Sequence, residues 1–390
     1  MQFVITGLGG GGAERMLLKL LTRIDRNTFE PEVISLTQLV EASEPLTKGF
    51  NDIGVPVHSL GMRPGVPDPR KIFRLAKWFR KKRPHLVSTW MYHADLIGGL
   101  AAKLAGNIPV VWNIRHSNLE SLVNKNTTLL TARCCALLSK KLPAKIICCG
   151  EVPRIVHVEN GYDASKMVVI PNGFDLSSFK PNPGSRERIR RQLGLPTDAV
   201  AVGLVARFNP QKDHKNFVCA AALLKRCEPD SHFVLCGEGI SWENAELCGW
   251  IKEFGLQSSF HLLGHRADIM DLNCALDVAT SSSSCGEGFP NVLGEAMACE
   301  IPCVATDVGD SALIIGDTGK VVPAGDSVAL AEAWRTILAL IPEDRTNLGI
   351  AARKRIQDHF SLAAVAQKYE DLFLFVLGLS SLRQLHSQGP

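Results

Sequence analysis

The sequence predicts an α/β protein made of two doubly wound, Rossmann-like parallel sheets. Three observations carry that expectation. Short β-branched runs alternate with helical patterns, the whole series occurs twice, and a Pro-, Gly- and Arg-rich stretch at 180–196 lies between the two series. At 390 residues, the chain is long enough for two to three cores of about 150 residues each. The expected organisation is one domain over 1–180, a second over 181–355, and a C-terminal helix in 356–390 that folds back on the first.

In the first series, strands are expected at 3–6, 31–36, 55–60, 86–90, 110–114, 145–149 and 168–170. A helix over 13–24 gathers Leu17, Leu18, Leu20, Leu21 and Ile24 in one apolar arc. The second series places strands at 200–205, 233–236, 261–263, 278–280, 303–306 and 320–322, with helices around 217–226, 291–299 and 328–340. Open parallel sheets bind ligands at the carboxyl ends of their strands, so a cleft between two facing domains is the expected site.

Composition excludes other classes. With 46% hydrophobic and 21% charged residues, the chain is not disordered, collagen-like or coiled-coil. The apolar stretch 372–379 is far shorter than the roughly 20 residues a membrane span needs. The first residues lack the basic and apolar regions of a secretory signal, so a cytoplasmic location is expected. The twelve cysteines include no C-x-x-C and read as core thiols rather than zinc, redox or disulfide positions. Charge is uneven: residues 1–180 carry 24 Lys+Arg against 14 Asp+Glu, and the remainder 19 against 25. Eight of the cations fall between Arg70 and Arg83, interleaved with Ile72, Phe73, Leu75, Trp78 and Phe79.

Three motifs carry chemistry. Gly7 to Gly12 satisfies G-x-G-x-x-G between a strand and a helix, but a dinucleotide site also needs an acidic residue at the end of the second strand. That strand ends in Ser35, Leu36 and Thr37, which disfavours NAD. The turn at Gly10, Gly11 and Gly12 either admits a phosphate or sugar to its amides or is simply a tight turn. Arg207 and Lys212, five residues apart after a strand, can grip a pyrophosphate from two sides, although loop cations are often only solvated. In the run from Ser281 to Ala298, Glu287 and Glu295 are separated by seven residues, with Pro290 at a first helical position. Asn291 and Glu295 then share a helix face, Val292, Leu293, Ala296 and Met297 pack inward, and the amides of the helix start favour an anion between two carboxylates that can accept sugar hydroxyls. A sugar nucleotide presents its groups in that order.

Taken together with Gly237-Glu238-Gly239 and Pro171-Asn172-Gly173-Phe174-Asp175, these motifs resemble the retaining family-4 glycosyltransferases of GT-B fold, of the type that makes bacterial cell-surface polysaccharide and lipid-linked glycans. The resemblance runs along nearly the whole chain. It implies that Arg207 and Lys212 bind the donor diphosphate. It also implies that Glu287 and the amides of Gly288, Phe289, Pro290, Asn291 and Val292 hold sugar and phosphate, that Glu295 holds the ribose, and that Gly237, Glu238, Gly239 and Gly264 flank the base. His116 takes the position of a histidine that contacts the transferred sugar, and His93, read as ending a strand, faces the acceptor. The chain departs from the usual pattern at Asp310 and Cys285, which bear on the sugar transferred.

The function expected is transfer of a sugar from a nucleotide-diphosphate donor to a glycan or lipid-linked acceptor hydroxyl, with the anomeric configuration kept and the departing diphosphate taking the acceptor's proton. The resemblance and the lack of a D-x-D segment imply no essential metal or other cofactor. A nucleotide-sugar epimerase and a non-catalytic sugar-nucleotide-binding protein are the alternatives. The basic stretch Arg70–Arg83 is expected to dock the first domain on an anionic membrane surface, making the enzyme peripheral on the inner face of the plasma membrane. No nucleic-acid partner is expected.

Overall fold

A computed structural model describes residues 1–63, 68–117, 119, 126–196 and 199–379. The chain forms two compact units, Met1–Gly173 with Leu362 onward, and Phe174–Ser361.

The first unit is a seven-stranded parallel sheet. Its strands are β1 (Gln2–Ile5), β2 (Glu32–Thr37), β3 (Val57–Met62), β4 (Val87–Trp90), β5 (Val110–Ile114), β6 (Lys145–Cys148) and β7 (Met167–Val169), in the order β3-β2-β1-β4-β5-β6-β7. Its helices are α1 (Gly12–Arg23), α2 (Glu44–Asp52), α3 (Pro69–Lys82), α4 (Tyr92–Leu104), α5 (Asn126–Leu138) and α6 (Glu151–Glu159). The strands alternate sides, as buried parallel strands do. Phe3 and Ile5 face a core with Leu17, Leu20 and Phe50, whereas Val4 and Ile34 face one with Leu75, Phe79, Ala101 and Cys135. Helices α3, α4 and α5 therefore share one face of the sheet, and α1 and α2 lie on the other.

The second unit has a six-stranded parallel sheet. Helix α7 (Pro183–Gln192) precedes β8 (Val200–Val205), α8 (His214–Cys227), β9 (Ser231–Cys236), α9 (Ala245–Glu253), β10 (Phe260–Leu262) and α10 (Ile269–Cys274). There follow β11 (Val278–Ser281), α11 (Asn291–Ala298), β12 (Cys303–Thr306), α12 (Ser311–Ile315), β13 (Gly319–Val322), α13 (Ser327–Leu338) and α14 (Pro342–Phe360), with sheet order β10-β9-β8-β11-β12-β13. Phe217, Phe233, Phe260 and Trp334 pack together in one of its cores. The last helix, α15 (Leu362–Val376), belongs to the first unit, where Tyr369 and Phe373 pack with Phe3, Phe29 and Trp90.

The unit boundaries thus fall at 173/174 and 361/362, where the sequence suggested 180/181 and 355/356. Phe174 joins the second unit because its ring lies against Gly294 of α11 and stacks on Phe289 at 6.2 Å. Residues 356–360 complete α14, in which Ile356 and Phe360 are buried. The stretch 180–196 is not simply a connection. Asn182 caps α7 through Ser185 N at 3.1 Å with Pro183 in its first turn, and Arg186 and Arg190 pair with Asp277 at 2.7 and 3.3 Å. All twelve cysteines are unbridged and seven are buried, although Cys227 is exposed. No helix among the described residues is long and apolar enough to cross a membrane.

Candidate functional site

In the second unit, the sheet reverses its direction of growth between β8 and β11, which pair in parallel. Loops leaving those two strands diverge and leave a crevice at their carboxyl ends. The loop after β8 carries Arg207 and Lys212, and the loop after β11 carries Glu287, so the topology brings two of the motifs to one place. Their side chains meet: Lys212 Nζ is ion-paired with Glu287 Oε1. Ser283 Oγ donates to that same oxygen at 2.6 Å, and Ser282 Oγ donates to the Lys212 carbonyl at 2.7 Å. The backbones are tied as well, through Ser284 N to Gln211 O at 2.8 Å.

Two glycines allow this closeness. Gly309 has φ +60°, and a methyl group there would come within 2.3 Å of the Glu287 carbonyl oxygen. Gly237 has φ +155° and lies equally tight against Ala206, with 2.1 Å from such a methyl to its oxygen. Phe208 N donates to Glu238 O at 2.7 Å and Gly237 N to Gly264 O at 2.8 Å, so the segments expected to flank a base join the Arg207 loop. Asp310 N donates to Gly288 O at 3.0 Å.

Arg207 is exposed at the start of its loop. Pro290 is the residue before α11 rather than its first residue, and Asn291 begins the helix. Glu295 sits half-buried in the second turn. Leu293, Ala296 and Met297 are buried, whereas Val292 is only half-buried. Phe289 turns its side chain into the core against Phe174 and Phe360, leaving only its backbone for a ligand.

The first sheet reverses between β1 and β4. After β1, Gly10 takes φ +84° and Gly11 precedes α1 as its cap. Glu14 lies over this turn, with its Oε2 only 2.7 Å from where a methyl on Gly11 would sit, and burial raises its carboxyl above the ordinary range. The start of α1 thus already faces a carboxylate of the chain. After β4, Met91 turns at φ +73°, and His93 lies half-buried in the first turn of α4 rather than at a strand end, its imidazole lowered by burial. His116 is half-buried two residues beyond β5. Preceding it, Arg115 lies 4.7 Å over the Trp90 ring and donates to Tyr369 Oη at 3.1 Å and to Asn172 Oδ1.

Ser282, Ser283, Arg115 and Tyr369 were not singled out by the sequence. Asn172 was quoted there only within its motif.

The sequence profile described as "Glycosyltransferase Family 4" matches residues 10–178, and that described as "Glycosyl transferases group 1" matches 199–339. The chain is 26% identical to the UDP-Gal:alpha-D-GlcNAc-diphosphoundecaprenol alpha-1,3-galactosyltransferase of Escherichia coli, over 92% of this chain and 94% of that one. To the lipopolysaccharide core biosynthesis mannosyltransferase LpsB of Rhizobium meliloti (strain 1021) it is 30% identical, over 60% of this chain and 67% of that one. Among solved structures, Anabaena HepE in complex with UDP has the same fold, with a TM-score of 0.82 and 23% identity over 95% of this chain and 98% of that one. Two sheets of the same architecture, the motifs at their switch points and these likenesses agree: the chain belongs to the family-4 glycosyltransferases and is a glycosyltransferase of GT-B fold.

Proposed function

We propose that this glycosyltransferase moves a sugar from a nucleoside-diphosphate donor to a hydroxyl of a lipid-linked or other glycan acceptor, with retention, in cell-surface polysaccharide or lipopolysaccharide synthesis. The observation that carries the reading is the Lys212–Glu287 pair at the switch point of the second sheet, beside the start of α11. A diphosphate on Lys212, Arg207 and the first amides of α11 has its charge answered by fixed groups. Glu287 then accepts hydroxyls of the donor sugar, and Glu295 those of the ribose. His116 acts on the transferred sugar, and His93 faces the acceptor. The acceptor oxygen bonds to the anomeric carbon as the bond to the diphosphate breaks, and the hydroxyl proton passes to the departing phosphate oxygen. The two cations stabilise that leaving group, so no divalent metal is required.

The relatives named above support this reading: one is a transferase acting on a diphosphoundecaprenol-linked sugar, another a lipopolysaccharide mannosyltransferase. Neither is an epimerase. Incubation with a panel of nucleotide sugars and acceptors, followed by mass spectrometry and NMR of the product, tests it. Transfer that persists in EDTA with the donor's anomeric configuration is expected. Inversion overturns the mechanism, and an isomerised donor without any acceptor product overturns the reaction.

The first unit is the part we assign to an anionic membrane surface. On α3, Phe73 is 66% exposed among Arg74, Lys77 and Lys81, all exposed. On α5, on the same sheet face, Leu130 and Leu137 are 63% and 80% exposed. The one acid of α3, α4 and α5, Asp95, is buried. Each cation near anionic lipid contributes about 1 kcal/mol. Co-sedimentation with phosphatidylglycerol vesicles is expected, weakening in high salt and when Arg74, Lys77 and Lys81 become Ser. Equal binding to neutral vesicles, or none to either, rules out this surface.

A further inference from the structure

Arg115 is held in one orientation by residues of β4, of α15 and of the segment after β7, with a residue of β5 behind them. Trp90 of β4 lies under the guanidinium, Tyr369 of α15 and Asn172 after β7 accept from it, and Asn113 of β5 orients the tyrosine. The order of donors is fixed. Asn113 spends its Nδ2 on Ser88 Oγ at 3.1 Å and Thr89 O at 2.9 Å, so its Oδ1 accepts from Tyr369 Oη at 3.1 Å, and the tyrosine oxygen turns a lone pair to the arginine. A guanidinium has five N–H donors, and two are used here. Among the described residues, no carboxylate pairs with it. A half-buried cation without a counter-charge is costly unless something answers it. Three donors remain, and Arg115 itself stands immediately past the end of β5 and before His116; β5 is the strand next to β4, where the sheet reverses. The nearby turn at Gly10 and Gly11 faces the carboxylate of Glu14 and is less open to an anion.

We propose that Arg115 seats a phosphate or diphosphate ester carried by the acceptor. This rests on the transferase reading above, in which Arg207 and Lys212 serve the donor's diphosphate. A planar fork with parallel N–H groups suits phosphate oxygens, and the stacking on Trp90 fixes the plane in which they must lie. Tyr369 is then a positioning residue: it acts on the phosphate through Arg115.

The test compares three acceptors with one sugar: linked by diphosphate to a long isoprenoid, as the free 1-phosphate, and as the methyl glycoside. Arg115→Gln is expected to raise KM for the phosphorylated acceptors roughly tenfold to hundredfold, the value of a lost charge-assisted contact. The donor KM and the methyl glycoside are expected to be unaffected. Arg115→Lys should recover part of the loss, and Tyr369→Phe, which keeps the ring, should fall between. Whichever phosphorylated acceptor the wild type prefers identifies the source as lipid or soluble ester. An unchanged KM for both, or an equal rise for donor or methyl glycoside, overturns the proposal. A second arm needs no turnover: the full chain carrying Arg207→Ala and Lys212→Ala is titrated with inorganic pyrophosphate. Binding that disappears on adding Arg115→Gln supports the site even if no acceptor in the panel is used; binding that is indifferent to it, or absent at the outset, overturns it.

Discussion

Lys212 and Glu287 stand 75 residues apart and form one ion pair, and each is held by an adjacent serine: Ser282 on the lysine's carbonyl, Ser283 on the carboxylate. The serines behave as a jig for the pair. Removing Ser283 Oγ leaves Glu287 with one fewer fixed donor, a loss of about 1.5–3 kcal/mol for a hydrogen bond to a charged group. Ser283→Ala is therefore expected to lower kcat at least roughly tenfold and, because the lost bond also holds the folded loop, to lower the melting temperature by several degrees. A variant as active as wild type would show that Lys212 alone positions the carboxylate.

Arg207→Ala and Lys212→Ala are expected to fold and to lose most activity, because removing one group that stabilises leaving-group charge costs roughly 10²–10³ in rate. Arg207 is exposed, so its own contribution to stability is small. Steady-state rates alongside circular dichroism check both halves of this expectation.

Glu287→Gln and Glu295→Gln separate sugar from ribose. The first should reduce turnover with little change in affinity for the free nucleoside diphosphate, and the second should weaken that affinity. Calorimetric titration with UDP is a suitable measurement, and equal weakening by both would contradict the division of roles.

Gly309→Ala tests the loop that carries Glu287. The added methyl meets the Glu287 carbonyl at 2.3 Å, and the residue's φ of +60° disfavours any side chain. A misplacement of about 1 Å at a catalytic carboxylate costs roughly a hundredfold in rate, and a side chain forced into the left-handed region costs about 1–2 kcal/mol before the clash with backbone is relieved. Both stability and activity should fall, and a variant that is still folded at the assay temperature and turns over like wild type would remove Gly309 from the site.

Acid should weaken both units. His157 and His214 are buried, and burial pushes each imidazole down to about 4. His157 is satisfied as a neutral ring, accepting from Tyr92 Oη at 2.7 Å while its Nδ1 lies 2.6 Å from the Pro153 carbonyl. Because the folded value lies below the unfolded 6.5, stability is intact above pH 6.5 and declines as the pH falls towards 4. The limit is about 3 kcal/mol per histidine, from about 1.4 kcal/mol per pH unit. Urea unfolding across this range should show the decline, and His157→Gln should flatten it; an identical slope in that variant would assign the acid sensitivity elsewhere.

The strands and the motifs that meet at Lys212 and Glu287 were legible because their signals are local: a β-branched run, a glycine turn, two carboxylates at fixed spacing. What escaped depends on distance. Arg115 and Tyr369 are 254 residues apart, and nothing near either announces the other. Within the run Ser281 to Ser284, no local rule tells which hydroxyl meets a carboxylate. The stretch at 180–196 read as a connection from its Pro and Gly, yet Asn182 and Pro183 were also a helix-start signal, and the partner of Arg186 and Arg190 is Asp277, far along the chain. Phe289 lies inside a binding motif but spends its side chain on the core, as a pattern of residue types cannot reveal.

The placement of α15 sets the order in which the molecule can be completed. The second unit is one continuous segment and has all of its strands once residue 361 has been made. The first unit begins earlier but remains open on one side, with Phe3, Phe29 and Trp90 lacking the cover of Tyr369 and Phe373. During synthesis at roughly 5–20 residues per second, that apolar face waits through the whole of the other unit. A translation stop or proteolytic cut between 361 and 376 would leave a finished second unit joined to an unsealed and aggregation-prone first unit, whose core is closed only by a helix made after the whole of the other.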